Sequence, residues 1–358
     1  MKILYLYSEL SPYLRPLFAA LVKNHKIELH VVHWDDLKLT PYQPVLMDGV
    51  TYYRRSEYNL MKLRSLVKDI DPKLIFVVGW VDFDYLKIVR KARSAGVPVV
   101  VGFDGTWRGT LRQIFGSILI KTFRRIFFSH AFVSFSRQYE YAKKFGFLDE
   151  EIIFNALSCD TELFDKALSN LENKSANYPH IFIYAGRFSK EKGINELVEA
   201  FKIYRDEQGG TWELLCVGNG NLQHLFIGEE NIDVIDFVSQ EELILLFNGC
   251  GAFIMPSYLD LSPLAVHEAT CACLPLILST GVGNRSTFLI DGFNGFSFSS
   301  SSPIELATAM SKISALSDME LLTMSRDSHI LSTRVTPDIS AASLVSVLTQ
   351  DRAPAKKM

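Results

Sequence analysis

The chain predicts an α/β protein built from two doubly wound, parallel-sheet domains in tandem. Three observations point there. Short β-branched runs alternate with longer amphipathic segments. The alternation restarts after a polar stretch near the middle. And 358 residues are long for one core but ample for two.

The elements follow in order. Lys2 to Tyr7 reads as a first strand, Pro12 to Lys23 as a helix and Ile27 to His33 as a second strand. Leu74 to Val78 and Val97 to Val101 are further strands around a helix from Tyr85 to Ala95 that stops at Gly96. Ala131 to Phe135 adds another strand. This β-α-β order implies a parallel sheet covered on both faces. Residues 170–179, with Asn, Lys, Ser and Pro, read as a linker. The pattern then resumes with strands at Ile181 to Tyr184, Glu213 to Val217, Val234 to Phe237, Ala252 to Met255 and Pro275 to Leu278. Helices are expected at Gly193 to Tyr204, Glu241 to Asn248 and Pro263 to Ala272. The expected domains are 1–165, 166–335, and a tail at 336–358 whose helix packs back toward the first domain. In open parallel sheets ligands bind beyond the carboxyl ends of the strands, so two such domains are expected to face a central cleft.

Composition narrows the function. A formal charge of −3 gives no reason to expect nucleic acid. The first residues are too short an apolar run for a signal peptide, and no apolar run reaches the roughly 18 residues that span a bilayer. The cytoplasm is the expected location. The 5 cysteines are odd in number and unpatterned, which argues for buried free thiols over a disulfide framework. Cys271 and Cys273, two apart on a helix, point to different faces. Histidines such as His130, His180, His224 and His267 show no metal-ligand spacing, so no metal is expected.

Two motifs carry chemistry. The first is Gly186-Arg187-Phe188-Ser189-Lys190-Glu191-Lys192-Gly193. Arg187 leaves the end of a strand, and Lys192 precedes a helix. Arg binds phosphate bidentately and Lys supplies a point charge, although either also suits a plain solvated surface. The second is Asp260-Leu261-Ser262-Pro263, running into the helix that carries Glu268. Ser262 is expected to cap that helix, with Pro263 at its first position. The amides of Leu264 and Ala265, with the helix dipole, then favour an anion. Glu268 lies in an apolar run where a carboxylate needs a partner, and a ribose diol would serve.

The segments YAGRFSKEKGINELVEAF, LLCVGNG, IDFVSQEEL and IMPSYLDLSPLAVHEATCACLPLILS, followed by IDGFNG, resemble family 4 glycosyltransferases, the glycosyl transferases group 1 domain of GT-B fold. The likeness covers residues 150–300 well and 1–150 more loosely. It implies retaining transfer of a sugar from a nucleotide sugar, a UDP- or GDP-sugar, with no cofactor and no protein-bound metal. Arg187 and Lys192 match the family's diphosphate-binding pair. Asp260 and Glu268 match its E-x7-E acids, Asp260 near the reacting carbon and Glu268 on the ribose. Leu261 and Ser262 match the loop whose amides meet sugar and phosphate. Gly218 and Gly220 match the glycine turn beneath the nucleotide, and Phe237 and Val238 the segment that meets the base. There are departures. Asp260 replaces the usual Glu, Thr287 stands where many members carry Glu, and the turn from Ser8 to Pro12 lacks the common glycines.

In the first half, Phe103 stands where many members have a His facing the acceptor. The next residue, Asp104, is the candidate to orient and deprotonate the acceptor hydroxyl; an Asp-Gly turn is also simply a good turn. Trp107 to Phe128 holds Arg108, Arg112, Lys121, Arg124 and Arg125 among apolar residues and no acid. Such a stretch suits an anionic membrane surface at the inner face of the cytoplasmic membrane. It equally suits a core-facing helix with a cationic outer side. The acceptor implied is a glycan or a lipid-linked sugar, in surface polysaccharide or glycolipid assembly. The alternatives are a nucleotide-sugar 2-epimerase of the same fold and a catalytically degenerate nucleotide-sugar-binding partner subunit. A dinucleotide oxidoreductase requires G-x-G-x-x-G after the first strand, and the turn from Ser8 to Tyr13 has no glycine.

Overall fold

The structure, a computed structural model, describes residues 1–36, 46–103, 105, 107 and 109–350, with only the backbone of Arg112, Asn170 and Gln350. The candidates Asp104 and Arg108 lie outside the described residues, as does the side chain of Arg112. Two compact units divide the chain, Met1–Ser158 with the stretch from Val335 onward, and Cys159–Arg334.

In the first unit the strands are β1 (Lys2–Leu6), β2 (Glu28–His33), β3 (Val50–Arg54), β4 (Leu74–Val78), β5 (Val99–Gly102), β6 (His130–Phe132) and β7 (Ile152–Ile153). They form one sheet in the order β3-β2-β1-β4-β5-β6-β7, and every described pair is parallel. Alternate residues of each strand serve opposite faces. Leu4, Leu6, Val32, Ile75, Val77, Val99 and Val101 enter one core. Ile3, Tyr5, Leu29, Val31, Leu74, Phe76 and Val100 enter the other. Both faces are therefore buried, which is why the strands read as unbroken apolar runs. Each fully buried side chain of this kind contributes roughly 1.5–3 kcal/mol.

The helix Pro337–Gln350 belongs to this unit. Its Ala341, Leu344 and Val347 share a core with Leu17 and Leu21 of the helix Leu14–Lys23, and Asn24 donates to Asp338.

The second unit contains β8 (Ile181–Ala185), β9 (Glu213–Val217), β10 (Ile232–Ile235), β11 (Ala252–Met255), β12 (Leu276–Ser279) and β13 (Gly295–Phe298). Their order is β10-β9-β8-β11-β12-β13, again parallel. The direction of winding reverses between β8 and β11, so the loops after those two strands flank a topological switch point.

Some local expectations need correction. The expected linker over 170–179 is partly helical, with Leu171–Ala176 forming a short helix whose Leu171 and Lys174 are buried. Polar composition hid one turn that anchors on the core. The expected helix from Gly193 to Tyr204 is Ile194–Lys202, widening into a π turn at Ile203–Glu207. Edge strands β3, β7 and β13 lack a long apolar run, and the sequence did not mark them.

Candidate functional site

The site grows from the loops after β8 and β11. Because β8 and β11 are neighbours, residues 68 apart in sequence meet, and Lys192 Nζ forms an ion pair with Asp260. The amide of Tyr258 donates to the Glu191 carbonyl at 3.0 Å, tying the loops backbone to backbone. Tyr258 Oη donates to Glu196. Burial, then this bond to a carboxylate, pushes the Tyr258 phenol up to about 12.

Arg187 is exposed at the end of β8. Among the described residues its guanidinium makes no ion pair, so this cation stands available at the mouth of the site. Its carbonyl accepts from Tyr184 Oη at 2.9 Å. The turn beneath is built by close approach. Gly218 has φ +139, and a Cβ there would lie 2.0 Å from the Gly186 carbonyl oxygen. Gly220 stands in the same relation to Phe188, whose amide donates to Asn219 at 2.8 Å. Only a residue without a side chain lets these two loops stack.

The helix after β11 is Leu264–Cys271, and its cap is Pro263, not Ser262. Pro263 makes no side-chain bond to the first turn, and the amides of that turn, Leu264 and Ala265, are among those a helix leaves without a partner of its own. Leu261, Ser262, Leu264 and Ala265 are all half-buried. Asp260 itself is anchored by its own backbone: its amide donates to Gly281 at 3.2 Å and its carbonyl accepts from Gly283 at 2.7 Å.

Glu268 is buried, and Gln240 Nε2 donates to its Oε1 at 2.8 Å. Burial pushes this carboxyl up to about 7, a shift that the Gln240 bond opposes. A protein amide already partners the acid that the sequence left without one. Gln240 begins the helix after β10, and nothing in its local sequence marks it. Phe237, on the loop beyond β10, is largely exposed and Val238 half-buried. Asp236 accepts from Asn219 Nδ2 at 2.9 Å and from the Phe237 amide at 2.6 Å, joining the glycine turn to this loop. Thr287 lies half-buried, its carbonyl accepting from Arg334 at 2.8 Å.

In the first unit, the carboxyl ends of β1, β4, β5 and β6 border a pocket lined by Tyr7, Tyr13, Val78, Phe103, Phe132 and Leu157. Phe103 also packs edge-on against Tyr141 and Phe145. The helix Leu111–Phe127 packs Ile120 and Phe127 against the core, whereas Leu111, Phe115, Ile118, Leu119 and Phe123 are exposed, more than a core-facing helix would leave. Lys121 and Arg125 are exposed beside them. Arg124 is the correction. It is buried, paired with Glu151, donating to the Gly146 carbonyl at 2.8 Å and lying 4.5 Å over the Phe147 ring. It is a structural cation and meets no surface. No helix among the described residues is long and apolar enough to cross a membrane.

His267 is not the isolated residue its spacing implied. Its ring lies with Cys159 and Cys271, their ligand atoms within 4.8 Å of one another and all three residues buried. His267 and Cys271, four apart on one helix, were legible as a same-face pair; Cys159 comes from 108 residues away. All five cysteines are buried, and none is in a disulfide.

Comparison with known proteins bears on the second unit above all. Residues 169–324 match the family model described as Glycosyl transferases group 1. The capsular polysaccharide biosynthesis glycosyltransferase CapM of Staphylococcus aureus is 27% identical over 143 residues, 38% of this chain and 37% of CapM. The glycogen synthase of Mycobacterium tuberculosis is 26% identical over 142 residues, 38% of this chain and 34% of that protein. The matches thus span little more than a third of either relative. Among solved structures, Anabaena Alr3699/HepE in complex with UDP has a TM-score of 0.72 at 15% identity, covering 98% of this chain and all of that one. The fold is GT-B, with two Rossmann-like units, and it is the second unit that contains the stretch matching the group 1 glycosyltransferase model.

Proposed function

We propose that this protein is a glycosyltransferase that moves a sugar from a nucleotide diphosphate-sugar to a glycan or lipid-linked acceptor. One observation carries the reading. The ion pair between Lys192 and Asp260 joins the two motifs across the switch point of the second sheet, with the exposed Arg187 at the same edge. Departure of the sugar builds negative charge on the β-phosphate. Arg187, Lys192 and the first-turn amides of Leu264 and Ala265 are preorganised donors for that charge. They do this without a metal. Asp260 next to a diphosphate would repel it; its pairing with Lys192 offsets that repulsion. We assign Glu268 to the ribose, in exchange for or alongside Gln240. Gly218, Gly220, Phe237 and Val238 support the base. Retention of configuration and membership of family 4 belong to the same reading.

A UDP-sugar is the donor we favour over a GDP-sugar, since the similar Anabaena protein was solved with UDP. For the acceptor we propose the pocket at the carboxyl edge of the first sheet, with Asp104, the residue after Phe103 in sequence, as the base. The helix Leu111–Phe127, with exposed apolar side chains beside Lys121 and Arg125, fits contact with an anionic membrane surface.

Calorimetry with UDP, GDP, ADP and dTDP on the native chain and on Glu268→Ala tests this. The expected result is micromolar binding of UDP, weakened tenfold or more in the variant. Failure of all four nucleotides to bind would overturn the donor site.

A further inference from the structure

We propose that Cys159, His267 and Cys271 form a buried zinc site inside the second unit. The geometry carries the proposal. The two sulfurs are 3.6 Å apart. Tetrahedral zinc with bonds of about 2.3 Å separates two sulfurs by about 3.8 Å, so the pair already stands at the spacing the ion imposes. The ligand atoms of the three residues all lie within 4.8 Å of one another.

The histidine is prepared as a ligand. Its Nε2 faces the Ser332 carbonyl at 3.2 Å. That carbonyl can only accept, so Nε2 carries the hydrogen and Nδ1 keeps its lone pair. Nδ1 accepts from the Cys159 backbone amide at 3.2 Å, and the ion would take that lone pair in place of the amide. Anchoring the far ring nitrogen on a backbone carbonyl is the arrangement that orients metal-bound histidines. The ring is also held flat against Phe288, with centroids 4.4 Å apart.

Two thiolates and an imidazole select zinc over magnesium or calcium, which take oxygen ligands. Binding displaces one proton from each thiol, so affinity rises with pH. Because all three residues are buried, the ion enters as the chain folds. Its structural effect is to pin the helix Leu264–Cys271 to residue 159, at the start of the unit.

The test is metal analysis of the full chain expressed with zinc. The expected content is about one zinc per chain, lost in Cys159→Ser and in Cys271→Ser. It should be kept in Cys216→Ser and Cys250→Ser, which remove buried thiols outside the cluster. A second measurement needs no variant. The native chain is unfolded with chelator and refolded with Co²⁺, and thiolate-to-cobalt charge-transfer absorption in the near ultraviolet, with tetrahedral bands in the red, is expected. A native chain that folds without zinc and shows no such absorption overturns the proposal. So does isolation of the protein with a Cys159–Cys271 disulfide. Neither readout depends on donor or acceptor.

Discussion

Substituting Gly193 by Ala tests how the two motifs are held together. Gly193 closes the turn Lys190–Lys192 with φ +73 and ψ 31, a left-handed conformation that costs an L-residue about 1–2 kcal/mol. A Cβ there would stand 2.2 Å from the Pro256 carbonyl oxygen, where ordinary contact begins near 3.4 Å. The loop after β8 must then retreat from the loop after β11 by about 1 Å, and overpacking of that kind costs about 1–3 kcal/mol. The sum is a loss of about 2–5 kcal/mol. Function should suffer separately. Lys192 precedes Gly193, and its partner Asp260 follows Pro256 on the other loop, so the retreat pulls the ion pair apart. A misplacement of about 1 Å can cost on the order of 100-fold. Gly228→Ala is the control, since its φ is +80 but nothing lies within 4 Å of a Cβ there; it carries the dihedral cost alone. Urea denaturation of both variants, with UDP calorimetry, gives the two numbers. Gly193→Ala matching Gly228→Ala in stability, with native UDP affinity, would refute the reasoning.

Three further predictions concern groups whose burial decides their effect. Glu151→Gln leaves the Arg124 guanidinium buried and uncompensated. It should destabilise by about 3 kcal/mol in urea denaturation, most of it recovered when Arg124→Met and Glu151→Leu are combined. Charge reversal at the exposed Lys121, leaving Arg125 in place 3.9 Å from Glu151, should leave stability within about 0.5 kcal/mol. It should cut binding to vesicles containing anionic lipid, and unchanged flotation would remove the membrane surface from the proposal. Lys174 donates to the Cys250 carbonyl at 2.8 Å, and burial lowers its ammonium from 10.5 to about 8. The unfolded chain therefore holds this proton more tightly between those values, and stability attributable to Lys174 rises with pH across that window. Relative to Lys174→Met, the native chain should gain about 2–3 kcal/mol between pH 7 and pH 10. A difference that stays flat with pH would show the amine is not desolvated.

Much of the fold was legible because its strands are buried on both faces. β4, β9 and β11 coincide with apolar runs read directly from the chain. Edge strands such as Val50–Arg54, with exposed and half-buried residues, carry no such signal. The candidate site divides in the same way. Arg187, Lys192, Asp260 and Glu268 were marked by local grammar, a glycine turn after a strand or an acid in an apolar helix. The partners were not. Gln240 reaches Glu268 from another helix, and Arg124 looks like any basic residue of its helix until Glu151 and Gly146 fold over it.

The sequence by itself determined which segments are the buried central strands, where the winding restarts, and which loops carry the paired charges. Those properties depend on residues within a turn or two of each other. The tertiary structure decided which of those groups meet. Lys192 pairs with Asp260 because β8 and β11 are adjacent although β9 and β10 lie between them in the chain. Cys159 joins His267 and Cys271 through folding that closes 108 residues of chain. The helix Leu111–Phe127 shows most of its apolar residues outward because only one narrow stripe, through Ser117, Ile120 and Arg124, is covered by the unit beneath it. Contacts of this kind are set by sheet order and by which side of a helix the core covers, and neither is a local property of the chain.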